Sequence, residues 1–310
     1  MSASAADASA AAEGRQRASG NSVPGDVWIT FVRWVRKTVR NPYLVVGALF
    51  TPVLLLVLFT ELFGEVTVGP LQSALGEDVS YITYLVPAVA ILSAMDAAAF
   101  SGMGLVEDIE SGMFEKTLVA PIHRSAMVFG KTLADVLQIL VQTGLILVIG
   151  YVALWIDTGG APGPYVRTGF VGVLAIGLVV VLFSLWYAAV SNIVALVTRD
   201  AESTSLWTNV PQLPLLFVST AFLPADFLPG WMELVATVNP VTYGVETVRA
   251  IVLGQDTLSV LEVSAFGGLW NTLGPALAVI IGLNLVLGGI AAVFFHRATS
   301  ASVRGGRADD

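Results

Sequence analysis

Six long apolar runs, at 43–63, 81–106, 133–156, 168–198, 205–223 and 273–295, leave this chain few ways to fold. Each is close to the ~20 residues that a helix needs to cross a hydrocarbon core. Lipid offers no hydrogen bonds, so every backbone N–H and C=O in such a run must be satisfied inside the span, and uninterrupted runs of this length do so as helices. The run at 205–223 contains Pro211 and Pro214 and is expected to be kinked. Composition agrees: 55% of the 310 residues are hydrophobic and 12% charged, with a mean hydropathy of +0.80, well outside the range of soluble domains. The expected fold is an all-α integral membrane protein with six transmembrane helices.

The segments between and around the runs add detail. Residues 1–25 are rich in Ala, Ser and Gly, too poor in apolar side chains to bury, and they lack the apolar core of a signal peptide; a disordered tail is expected. Residues 26–41 place Trp28, Val32, Val35 and Val39 on one helical stripe and Arg33, Arg36, Lys37 and Arg40 on another. That pattern describes an amphipathic helix lying in the membrane interface, and equally the positive flank of the first span. Residues 224–271 are apolar in part but broken at Asn239-Pro240 and hold Glu233, Glu246 and Arg249. The break suggests a re-entrant pair of half-helices before the last span, acceptable only where protein or water covers the interrupted backbone. Residues 298–310 form a short polar tail.

Cytoplasmic flanks carry the excess of Lys and Arg. With the N-terminus inside, thirteen of the fifteen Lys and Arg fall on inner segments, and only Arg167 and Arg249 fall outside. Both termini are therefore expected in the cytoplasm of a cell, with the protein multi-pass in its plasma membrane. The same count puts the segment 107–124 on the cytoplasmic face.

That segment concentrates charge, glycine and proline between two spans. A turn at Ser111-Gly112 precedes a stretch in which Phe114 and Leu118 share one helical face while Glu115 and Lys116 point elsewhere. Pro121 ends it. Such a short amphipathic helix has the shape to enter a groove on a soluble partner; a solvated loop joining two spans has the same composition.

The run Glu110-Ser111-Gly112-Met113-Phe114-Glu115-Lys116-Thr117-Leu118 ending at Ala120-Pro121, followed by Arg124 and Gly130-Lys131, resembles the coupling segment of ABC-2 type permeases of the daunorubicin-exporter kind. A second block is similar to that family's other signature: Phe222-Leu223-Pro224, then Leu228-Pro229-Gly230-Trp231, then Val238-Asn239-Pro240-Val241-Thr242-Tyr243. The resemblance implies a permease domain at 43–297 and a re-entrant region at 224–271. It also implies docking of the coupling segment on an ATPase subunit, present in two copies, with ATP and Mg bound there rather than here. A second permease chain would complete a dimer, and the cargo would be an amphipathic or hydrophobic molecule for export. Glu110, Gly112, Phe114, Glu115, Leu118 and Pro121 are the residues expected to carry the coupling.

Other chemistries find little support. Gly130-Lys131-Thr132 looks like the end of a phosphate-binding loop, but Ser125 stands where that loop needs its first glycine, and no strand precedes it. Gly102-Met103-Gly104 lacks the third glycine of a dinucleotide fingerprint, Glu107 taking its place, and suits close helix packing instead. There is no cysteine, and His123 and His296 sit apart at span ends, so no metal site is expected. The net charge of −8 argues against nucleic acid as a partner. Three polar groups within the apolar regions stand out as lining of a translocation path or as structural polar contacts: Asp96, Glu246 and Arg249. Asp96 lies near the middle of its span, about 17 Å from either end at ~1.5 Å per residue. It is expected to face the bundle interior, a partner helix or a water-filled path, as an ion relay or as a hydrogen-bonded buried carboxyl. An ion-coupled secondary transporter using Asp96 is the alternative function. Glu246 and Arg249, three apart on one helix, are placed to pair.

Overall fold

The computed structural model describes residues 22–40, 42–76, 79–112, 124–160, 165–261 and 265–305. Among these residues there are ten α-helices, one short 3₁₀ turn at Ala225–Phe227, and no strand. In chain order they are α1 (Val23–Val39), α2 (Pro42–Leu75), α3 (Tyr81–Glu110), α4 (Arg124–Asp157), α5 (Gly169–Thr198), α6 (Ala201–Asn209), α7 (Gln212–Phe217), α8 (Gly230–Val238), α9 (Pro240–Leu253) and α10 (Trp270–Gly305).

Five helices are long and apolar enough to cross a membrane: α3, α5, and the stretches Leu49–Thr67 of α2, Ala126–Asp157 of α4 and Trp270–Phe294 of α10. The run expected as one kinked span at 205–223 is instead two short helices, α6 and α7, separated at Val210-Pro211. Pro211 has no N–H to give the preceding turn, and Pro214 removes a second donor three residues later; two missing donors so close together weaken the ladder more than the single Pro87 that α3 runs past.

Helix boundaries differ from expectation elsewhere too. The tail expected to stay disordered through residue 25 becomes helical at Val23, because Ser22 caps α1 by accepting from the Gly25 N–H at 3.4 Å, with proline in the first turn. The polar stretch after residue 63 continues as α2 to Leu75, with Thr67 returning its hydroxyl to the Phe63 carbonyl at 2.6 Å. α10 likewise runs on through Gly305, so part of the expected polar tail is helical. A helix that has left lipid has no reason to end until a breaker or cap appears. The break at Asn239-Pro240 does divide two helices. Asn239 caps α9 by accepting from the Val241 N–H at 3.0 Å and donates to the Leu215 and Val218 carbonyls at 2.6 and 3.1 Å, tying α9 to the end of α7.

α3 is the hub. Every residue from Tyr81 to Met95 is buried, and the helix packs against α2, α4, α5, α6 and α9. Lipid chains are as apolar as leucine, so helix association here rests on close packing and hydrogen bonds rather than on the hydrophobic effect. Small residues serve that need: Ala88, Ala90, Ala94 and Ala98 are fully buried. At the α3–α5 crossing the Gly102 N–H donates to Ser191 Oγ at 3.2 Å, and Ser191 Oγ donates to the Ala99 carbonyl at 2.8 Å. A Cβ on Gly102 would collide with the Ser191 backbone, so this glycine permits the crossing, as its spacing suggested. A Cβ added to Gly282 on α10, part of a small-residue pair with Ala278, would meet nothing within 4 Å among the described residues.

Candidate functional site

Polar and charged groups gather at three levels along α3. The first lies at its C-terminal end, where the segment joining α3 to α4 begins. Ser111 closes α3, and Gly112 takes a positive φ of 66°, with its N–H on the Ile109 carbonyl at 3.0 Å. That left-handed residue is the turn expected at Ser111-Gly112. Glu110 Oε1 accepts from the Ala201 N–H at 3.3 Å, at the N-terminus of α6. The same terminus is capped by Asp200, whose carboxylate takes the Ser203 N–H at 2.7 Å, and these hydrogen bonds hold the Asp200 carboxyl below its ordinary range. Phe114, Glu115, Leu118 and Pro121 lie outside the described residues.

α1 is fastened to this end. Arg33 reaches Asp108 at 2.8 Å, while Lys37 reaches Asp108 at 3.2 Å and Glu107 at 3.0 Å. The Trp34 ring is met by three cations, Arg33, Lys37 and Lys131, at 5.1, 4.7 and 5.2 Å from its centroid. Gly104 makes room for the ring: a Cβ there would sit 2.8 Å from Trp34 Cζ3. On α4, Gly130 abuts Thr30 and the Val27 carbonyl in the same way, and Lys131 pairs with Asp135 at 2.9 Å while also donating to Ser101. The amphipathic stripe of α1 was readable in the sequence; its attachment was not. Lys131 and Asp135 carry the one local signal, an i,i+4 spacing. Asp108, the main anchor, is 71 residues from Lys37, and no local pattern announces it.

The second level is Asp96. It is half-buried where α3 packs against α5, α6 and α7, with Tyr187 of α5 and Gln212 of α7 as polar neighbours. Gln212 also reaches Asn209 Oδ1 at 3.1 Å, and the Tyr187 hydroxyl donates to the Thr208 carbonyl. The carboxyl thus faces other helices of the bundle, at the point where α6 gives way to α7.

The third level, near the other end of α3, holds Glu246 and Arg249 of α9. Both are 1% exposed, and Arg249 Nη1 meets Glu246 Oε1 at 2.6 Å. The guanidinium is used on nearly every side. Nε donates to the Tyr84 carbonyl at 3.3 Å, Nη2 donates to the Thr220 and Ala221 carbonyls at 3.1 Å each, and the cation lies 3.6 Å from the Tyr84 ring centroid. Thr220 adds a hydroxyl to Glu246 Oε1 at 2.5 Å. Glu246 Oε2 is buried and has no hydrogen-bond partner among the described residues. The i,i+3 spacing pointed to the pair; Tyr84 and Thr220, distant in sequence, did not signal their part in it. Among the described residues no three acidic or imidazole groups gather closely enough to hold a metal ion.

A family model described as ABC-2 type transporter matches residues 26–253, well over half of the chain. The chain belongs to the ABC-2 type transporter family. The matched region takes in α1 with its anchors, the segment between α3 and α4, and the whole of α9. Among similar proteins, the daunorubicin resistance ABC transporter permease protein DrrB1 of Streptomyces coeruleorubidus is 25% identical over 245 residues, covering 79% of this chain and 77% of that one. The putative transport permease ycf38 of Cyanophora paradoxa is 28% identical, covering 80% and 81%. The probable doxorubicin resistance ABC transporter permease protein DrrC of Mycobacterium tuberculosis is 26% identical, covering 73% and 75%. This ABC-2 family member is a multi-pass membrane protein of a transport family.

Proposed function

We propose that this chain is the permease subunit of an ATP-driven exporter, moving an amphipathic or hydrophobic substrate out across the plasma membrane while ATP is hydrolysed on separate ATPase subunits. Two ATPase subunits and a second permease chain would complete the assembly. The observation that carries the reading is the fastening of α1, the end of α3 and the start of α4 into one unit where the connection between α3 and α4 leaves and returns. A push delivered to that segment by a closing ATPase pair would reach three helices together, and Glu110 would pass it to α6 through Ala201. In this arrangement α6 and α7 together make a sixth, kinked crossing, α8 and α9 form the re-entrant pair, and both termini lie in the cytoplasm.

Orientation has a direct test, because the native chain contains no cysteine. A single cysteine at position 160 should react with an impermeant maleimide in intact cells. One at position 116 should react only after permeabilisation. Labelling of 116 in intact cells would reverse the topology and remove the coupling role.

Asp96 separates the ATP-driven reading from an ion-coupled one. Asp96→Asn keeps the shape and the capacity to hydrogen-bond, so in vesicles containing the cognate ATPase the variant should retain ATP-dependent export, unaffected by collapse of ion gradients. Export that needs no ATP, stops when gradients are dissipated and disappears in Asp96→Asn would assign the protein to the secondary transporters.

A further inference from the structure

A cavity of about 280 Å³ opens beside the Glu246–Arg249 pair, lined by Leu75, Pro224, Asp226, Asp256 and Ser259 together with the pair itself. The groups facing it are unevenly matched. Arg249 is consumed by the fold, its donors directed to Glu246 and to the carbonyls of Tyr84, Thr220 and Ala221, and its face covered by the Tyr84 ring. Glu246 Oε1 is likewise satisfied twice, but Oε2 is buried and accepts no hydrogen bond among the described residues. Two further carboxylates, Asp226 and Asp256, stand at the exposed rim. Asp256 Oδ1 already accepts from the Thr272 hydroxyl at 2.5 Å and the Leu258 N–H at 3.3 Å, but three carboxylates around one spent guanidinium still leave an excess of negative charge. A buried carboxylate oxygen left without a donor is costly, so its natural complement is a ligand that supplies both a donor and a positive charge.

We propose that this cavity binds the ammonium group of a compact organic cation, with the ammonium donating to Glu246 Oε2 and lying within the field of Asp226 and Asp256. The body of the ligand would rest against Leu75, Pro224 and Leu258. The volume sits near the low end for small-molecule sites, which suits a single ring, or the cationic head of a longer amphipath whose tail leaves through the open side. A metal ion is a poor occupant, because these carboxylates do not converge on a common point. Nothing here depends on the exporter reading, and the site is testable on the purified chain without ATPase or nucleotide.

The test is a saturation-transfer NMR titration of the detergent-solubilised chain at low salt, with benzylammonium as probe and benzyl alcohol as its neutral counterpart. Benzylammonium should bind saturably and benzyl alcohol should not. Asp226→Asn and Asp256→Asn, both at exposed positions, should each weaken binding about two- to fivefold, the range for loss of one exposed charge pair. Ser259→Trp should fill the cavity and abolish binding. Glu246→Gln should also abolish it, but that change disturbs the contact with Arg249, so the rim variants carry the decision, with helicity and melting temperature confirming that each is folded. Absence of saturable benzylammonium binding to the folded native chain would overturn the proposal and leave the cavity a hydration pocket. Equal binding of the alcohol, or native affinity in a folded Ser259→Trp chain, would overturn it too.

Discussion

Replacing Arg249 with methionine should cost about 3–5 kcal/mol, enough to erase much of the 5–15 kcal/mol by which an ordinary domain is stable. The side chain is 1% exposed and holds together three elements: Glu246 on its own helix, the Tyr84 carbonyl of α3, and the Thr220 and Ala221 carbonyls after α7. Removing it leaves a buried carboxylate facing a neutral side chain, takes the guanidinium from the Ala221 and Tyr84 carbonyls, and leaves the Thr220 carbonyl with only the Tyr84 hydroxyl at 3.0 Å. Thermal melting in detergent and the surviving fraction after limited proteolysis should both show the loss. Changing both members of the pair tells the two contributions apart. If Arg249 mattered only as the counter-charge of Glu246, Glu246→Leu with Arg249→Met would restore native stability, as replacement of whole buried ion pairs by apolar side chains often does. Because the guanidinium also serves those carbonyls, the double variant should recover only part of the loss. Arg249→Lys keeps the charge but not the planar fork, and should fall short of the native chain for the same reason. A methionine variant that melts with the native protein would remove the clamp from the account.

How much of this was readable beforehand depends on how local each cause is. The break at Asn239-Pro240 was legible, because Asn239 caps the helix that Pro240 opens; Pro211 signalled a kink but not a full division, since Pro87 and Pro275 sit inside continuous helices. The ends of α2 and α10 were not legible. Hydropathy marks where a helix leaves lipid, whereas a helix stops where its hydrogen bonds find a cap, and α2 passes Glu61 and Glu65 without one. The start of α1 was legible in Ser22 and Pro24 but outweighed by the composition of the tail around them. For the candidate site, the Glu246–Arg249 spacing and the central position of Asp96 were visible as patterns along one helix. Their partners, Tyr84, Thr220, Tyr187 and Gln212, come from elsewhere in the chain and meet only in the folded bundle. The same holds for Asp108, which joins α1 to α3.

Truncating Phe114 and Leu118 to alanine together should abolish most ATP-dependent export while leaving the amount of protein in the membrane unchanged. The expectation follows from the proposed docking: each side chain seated in an ATPase groove contributes roughly 1.5–3 kcal/mol of buried apolar contact. An equilibrium needs about 5.5 kcal/mol of bias to reverse from 1:99 to 99:1, so losing both contacts removes a large share of what a closing ATPase pair could transmit. The rest of the relay would remain, because Arg33 and Lys37 hold α1 to Asp108 of α3, and Trp34 meets Lys131 of α4. Breaking the relay instead, with Trp34→Ala, should leave the ATPase bound but lower the export obtained per ATP hydrolysed. The two variants thus fail differently, one in co-purification of the ATPase and the other in the ratio of hydrolysis to transport. Wild-type export and undiminished co-purification in the Phe114/Leu118 double variant would leave the docking without support, and the segment would then be a loop that only connects α3 to α4.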